Sequence, residues 1–109
     1  MKDMTALTRL RERVVPGTVV HVTNHDYLAG SGTRKVLSVS DNLYGTGRPG
    51  YISSGESKGK RYHFTWPSPE DDFEVNGNEL RIYNPSHAYV YGSRAVTLTM
   101  RFEFGKGER

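Results

Sequence analysis

Toward the C-terminus the apolar residues recur at every second position. After Gly92-Ser93, Val96, Leu98, Met100, Phe102 and Phe104 share one parity, while Thr97, Thr99, Arg101 and Glu103 share the other. A period of two puts the first set on one face of a β-strand and the second set on the opposite face. The stretch from His87 to Phe104 therefore predicts a β-hairpin whose long second strand walls the core. Its edge, left without a neighbour, would invite a second copy of the chain to pair with it.

The same period runs through most of the chain. Strands are expected near Thr18–Asn24, Thr33–Ser40, Gly50–Ser54, Lys60–Trp66, Asp72–Val75, Glu79–Tyr83, Ala88–Tyr91 and Arg94–Phe104, separated by Gly, Asn, Asp and Pro. In Arg61-Tyr62-His63-Phe64-Thr65-Trp66 the three aromatics share a face, and core packing is the expected use of that face. Asn76-Gly77-Asn78 marks a tight hairpin between Phe73/Val75 and Leu80/Ile82, with Gly and Asn suited to positive φ. Only the N-terminus departs from this period. Met4, Leu7, Leu10 and Val14 recur at helical spacing between Asp3, a suitable N-cap, and Pro16-Gly17, which ends a helix.

These elements predict a mainly β fold. The expected architecture is a small antiparallel barrel of the SH3-like or OB-like kind, or a compact sandwich, with one short N-terminal α-helix packed through Leu7, Leu10 and Val14. A chain of 109 residues reads as a single domain: helix over 3–15, β domain over 18–104 and a disordered tail over 105–109. The longer irregular connections fall at His25–Gly32, Leu43–Gly50, Gly55–Gly59 and Pro67–Asp72.

Composition narrows the chemistry. The chain contains no Cys, so it has neither a disulfide nor a thiolate nucleophile, and a reducing compartment suits it. The N-terminus lacks the apolar run of a signal peptide and no window approaches the ~20 apolar residues of a membrane span. A cytoplasmic protein without membrane contact is the expectation. Fifteen Lys and Arg against twelve Asp and Glu leave a formal charge of +3, which permits a nucleic-acid partner without requiring one. Arg9, Arg11 and Arg13 read as a solvated helix end that complements the helix dipole.

Several strings resemble chemical motifs only on the surface. Gly45-Thr46-Gly47-Arg48-Pro49-Gly50 matches G-x-G-x-x-G, but a strand follows where a helix N-terminus would have to receive a pyrophosphate. Gly55-Glu56-Ser57-Lys58-Gly59-Lys60-Arg61 is one residue short of a phosphate loop and has Arg61 where a hydroxyl residue would hold magnesium. It reads instead as a basic loop. His21, His25 and Asp26 could place metal-ligating groups on one strand face, yet this spacing is common by chance, and His63 and His87 could join only through the tertiary fold. No G-x-S-x-G elbow is present, and the adjacent Asp71 and Asp72 would point to opposite faces of a strand. Asn84-Pro85-Ser86, the near match to a glycan acceptor, is blocked by its proline. No catalytic residue, metal site or cofactor is expected.

The reading that results is a non-catalytic binding module in one of two forms, with an enzyme as a remote third. In its first form it binds nucleic acid, with Arg34, Lys35, Lys58, Lys60 and Arg61 on phosphates and Tyr44, Tyr51 and Tyr62 as stacking faces. In its second form it is a protein-interaction or inhibitor module that uses the same loops or an uncovered strand edge, since Tyr and Arg are enriched at binding hot spots. The protein would be a monomer or a homodimer paired through a strand edge. The strings Pro16-Gly17-Thr18-Val19-Val20-His21-Val22-Thr23-Asn24, Gly32-Thr33-Arg34-Lys35-Val36 and Trp66-Pro67 resemble those of small proteins from actinobacterial genomes and their phages. That resemblance implies an accessory role encoded by a phage or mobile element, and implies no activity for any residue.

Overall fold

In the computed structural model the described residues are 4–25, 31–43, 45, 47–55, 59–84 and 95–104. Helix α1 spans Met4–Arg13, and strands β1 to β7 span Val19–Asn24, Gly32–Leu43, Arg48–Ser54, Arg61–Thr65, Phe73–Asn76, Glu79–Asn84 and Ala95–Glu103. Asp3, the expected N-cap, the expected strand Ala88–Tyr91, His87, the Gly92-Ser93 turn and the tail 105–109 lie outside the described residues.

α1 forms where the apolar spacing places it, and Leu7, Leu10 and Val14 are buried. It ends because Pro16 cannot continue it and Gly17 turns the chain at φ 99°. The turn is then stitched to the sheet: the Thr18 hydroxyl accepts the Val15 N–H at 3.1 Å, Gly17 N–H donates to Val36 O, and Val36 N–H donates to Thr18 O.

The seven strands form one antiparallel sheet in the order β4-β3-β2-β1-β7-β6-β5. This corrects the sandwich expectation, and the barrel closure expected of the sequence is not formed either. The described strands make a single layer whose outermost members, β4 and β5, are not paired with each other. The sheet curls instead of splitting: Tyr51 on β3 and Trp66 just after β4 reach Phe102 on β7 at 6.4 and 5.6 Å, and α1 adds Leu7, Leu10 and Val14 to the same core, so one curved sheet and one helix bury the apolar face.

The hairpin expectation also changes. β7 pairs with β1 on one side and β6 on the other, so it lies inside the sheet and offers no edge for a second copy. The face assignment holds: Met100 and Phe102 are buried, Leu98 and Phe104 pack partly against them, and Arg101 and Glu103 face outward. Gly77 takes φ 64° in the β5–β6 turn, and Asn78 beside it bonds Phe102 through both its backbone and its side chain. Trp66 is core. Its ring stacks on Phe102 at 5.6 Å and meets Tyr51 and Phe64 edge-on.

β2 is longer than its sequence pattern predicts and carries two irregularities, between Val36 and Ser38 and between Ser40 and Leu43. Such bulges shift the alternation and increase local twist. Leu37, with the outward parity of Lys35, is exposed although apolar, and so is Val39, which the shifted register sets opposite Tyr51.

Candidate functional site

The chemistry-bearing residues of the sequence converge on the β2–β3–β4 end of the sheet, where the period of two divides neighbours between opposite faces. Register pairs Lys35 with Ser54 and Ser54 with Arg61, so these three form one row on the outer face. Val36, Ser53 and Tyr62 form the adjacent inner row. Lys35 and Arg61 are exposed and stand two strands apart, roughly 10 Å at normal strand spacing. Lys60 is exposed just before β4, with its ammonium 5.9 Å from the Tyr62 ring centre.

Arg34 occupies the inner side. It is 5 % exposed, and its guanidinium lies 3.8 Å over the Tyr62 ring. Two glycines make room for this stack. A Cβ on Gly32 would fall 2.6 Å from Arg34 Nη1, and one on Gly55 would fall 2.4 Å from Tyr62 Cε2. Nη1 of Arg34 also approaches Thr33 O at 3.5 Å.

Beside the stack opens a cleft of about 140 Å³ that α1 leaves uncovered. Arg34, Tyr51 and Ser53 line it on one side, and Val22, Leu98 and Met100 line it from β1 and β7. Burial pushes ionisation of the Tyr51 hydroxyl far above the ordinary tyrosine range, and the Arg34 charge pulls it back in part. The phenol is therefore a neutral O–H group at any ordinary pH.

Of the residues expected to contact nucleic acid, Lys35, Lys60 and Arg61 gather at one corner on the surface. Tyr62 is half-buried at the same corner, with one ring face taken by Arg34. Arg34 and Tyr51 lie in the interior, so neither is placed as a surface contact; Tyr51 packs on Phe64, Trp66 and Phe102. Tyr44 and Lys58 lie outside the described residues. The cleft itself is what reading by residue type overlooks, although a signal for it exists. Arg34 has the parity of Val36, Tyr51 that of Ser53, and Tyr62 that of Phe64, so all point inward together.

The other candidates resolve into structural contacts. His21 bonds Thr33 through Nδ1 at 3.2 Å and Glu103 through Nε2, and Arg101 reaches the same Glu103 oxygen at 3.5 Å. The His21 hydrogen bond is the main cause holding the Glu103 carboxyl below the usual glutamate range, with Arg101 adding to it. His25 meets Thr99 at 3.1 Å, and Asp26 lies outside the described residues. Among the described residues no group of three His, Asp or Glu could hold a metal ion. Asp71 accepts from Ser68 N–H and Ser68 Oγ and pairs with Arg48 at 3.4 Å, so it shapes the loop after Trp66. Gly45 and Gly47, with φ 68° and 81°, belong to the β2–β3 connection, and Arg48, Pro49 and Gly50 begin β3 rather than a helix.

Among the described residues no helix is long and apolar enough to cross a membrane. The chain matches no protein-family model, no curated protein and no solved structure, so its own geometry is the ground for any functional reading.

Proposed function

We propose that this chain is a non-catalytic binding module that holds a nucleic-acid backbone at the cationic corner of its sheet. The observation that carries the reading is the row that sets Lys35 on β2 and Arg61 on β4 to either side of β3, with Lys60 exposed just before β4, residues from two separate stretches of sequence. Phosphates attract such a cluster without regard to base sequence, and three contacts make a weak, salt-sensitive complex. An OB-like or SH3-like relationship of the open sheet belongs to the same proposal, because small barrels of that kind present strand faces to oligonucleotides.

The test is an electrophoretic mobility shift with generic single- and double-stranded oligonucleotides at low and moderate salt. With about three phosphates neutralised on a single strand, affinity should fall roughly 15- to 20-fold between about 50 and 200 mM salt. The double substitution Lys35→Glu with Arg61→Glu should abolish the shift while the far-UV dichroism stays that of the parent. Absence of a shift at low salt would overturn the proposal.

A protein-interaction or inhibitor module is the second reading, favoured by one observation. Val15 and Val39, 43 % and 48 % exposed, face each other across a cleft between the end of α1 and the β2–β3 hairpin. Retention of oligonucleotide binding by the charge-reversed double variant would move the argument away from the corner altogether.

A further inference from the structure

We infer that the cleft between the end of α1 and the β2–β3 hairpin is a binding site for a free α-amino acid with a large apolar side chain. It shares no lining residue with the corner formed by Lys35, Lys60 and Arg61, so the assignment does not depend on nucleic-acid binding.

Charge comes from both walls. α1 contributes Arg11 and Glu12, and Asp41 stands across from them on β2. Arg11 is half-buried and the two acids are exposed. Among the described residues no side-chain hydrogen bond or ion pair engages any of the three, so opposite charges line one space without closing on each other. A ligand that carries both signs answers them together. Its carboxylate meets the Arg11 guanidinium, whose planar donor fork matches that group in two-pronged geometry. Its ammonium lies between Asp41 and Glu12, where the C-terminal end of α1 adds partial negative charge.

Shape supplies the apolar part of the ligand. Val15 and Val39, 43 % and 48 % exposed, line the cleft together with Pro49 and the buried Trp66. Apolar surface left open to water in this way is covered by an apolar side chain at a gain in free energy. The Trp66 ring is already fixed by its stack on Phe102, and a surface held in place loses little freedom when it binds. A cavity of about 150 Å³ accommodates a benzene-sized molecule, so this cleft of about 340 Å³ takes a ring together with the amino-acid group that bears it. A neutral apolar molecule leaves three charges unanswered, and a phosphate meets Glu12 and Asp41.

L-Phenylalanine is the probe, with phenethylamine and 3-phenylpropionate as counterparts that each lack one charge. Titration into the ¹⁵N-labelled full chain should give saturable shifts at the amides of Val15, Val39 and Gly50 and at the Trp66 indole N–H, with a dissociation constant of about 1 mM, as expected for so small a ligand. Water screens charges in an open cleft, so each single-charge analogue should bind roughly two- to fivefold more weakly. Arg11→Gln and Asp41→Asn should each weaken phenylalanine by the same factor while thermal unfolding stays that of the parent. Val39→Trp, a change at an exposed position, fills the cleft and must abolish the shifts. Shifts that do not saturate, equal affinity for either analogue, unchanged binding by any of the three variants, or shifts centred on Lys35, Lys60 and Arg61 would each overturn the assignment.

Discussion

Replacing Trp66 separates a core tryptophan from a contact residue most sharply. The indole is 3 % exposed and lies 5.3 to 5.7 Å, centre to centre, from the rings of Phe64, Phe102 and Tyr51. A buried tryptophan withdraws about 150–250 Å² from water, worth roughly 4–6 kcal/mol at about 25 cal/mol per Å². That figure is an upper bound, because the unfolded chain already shields part of the ring. Truncation of buried aromatics to alanine costs about 3–5 kcal/mol, so Trp66→Ala should fall in that range. Against the ~5–15 kcal/mol typical of a domain, this loss is large enough to leave the variant partly unfolded. Trp66→Phe keeps a ring in the cluster and should cost about 1–2 kcal/mol, which makes it the quantitative partner. Urea unfolding followed by far-UV dichroism measures both, with the slope m compared between variants. In the parent, Trp66 is the single tryptophan, and its fluorescence gives a second probe whose transition should coincide with the first. A Trp66→Ala variant within about 0.5 kcal/mol of the parent at unchanged m would behave like a surface substitution and refute the packing argument.

Three further outcomes follow from local geometry. Gly50→Ala would place a Cβ 2.2 Å from Phe64 O and 2.7 Å from a Leu43 methyl, so β3 and β4 must shift; a loss of about 1–3 kcal/mol in thermal or urea unfolding is expected, and a loss under about 0.5 kcal/mol would contradict it. Thr97 Oγ1 is buried without a hydrogen-bond partner, so Thr97→Val, which keeps the branched shape, should be neutral or stabilise by up to about 1 kcal/mol, whereas a clear loss would reveal a bond to the hydroxyl. Glu103 is lowered in the folded state, first by the His21 hydrogen bond and then by nearby positive charge. Its stabilising contribution is therefore complete above the ordinary glutamate value near 4.5 and is lost as pH falls through its lower folded value. Glu103→Gln should flatten the decline of the urea midpoint between about pH 6 and pH 3, and an unchanged slope would rule the linkage out.

Much of the fold was legible in the residue pattern. The helix and the strands over β1, β3, β4, β5, β6 and β7 fall where the two periods put them, because side-chain direction in a strand or helix is set by local backbone geometry. The outward placement of Lys35 and Arg61 follows from the same rule. So, in principle, does the inward placement of Arg34, two residues before Val36. Reading Arg34 by its charge rather than its parity put it on the surface, whereas its long stem and the Tyr62 ring let the fold keep it inside.

What the pattern leaves open is decided by distance along the chain. Nothing local states that β7 sits between β1 and β6, or that Val20 lies opposite Phe102; the β1–β7 pairing brings together segments some eighty positions apart and depends on burying both apolar faces at once. The cleft is decided in the same way. Its walls come from β1, β2, β3, β4 and β7, and it exists because α1 covers one part of the inner face and leaves another uncovered. Periodicity tells each residue which way to face, while only the closure of distant strands around one core tells it what it will face.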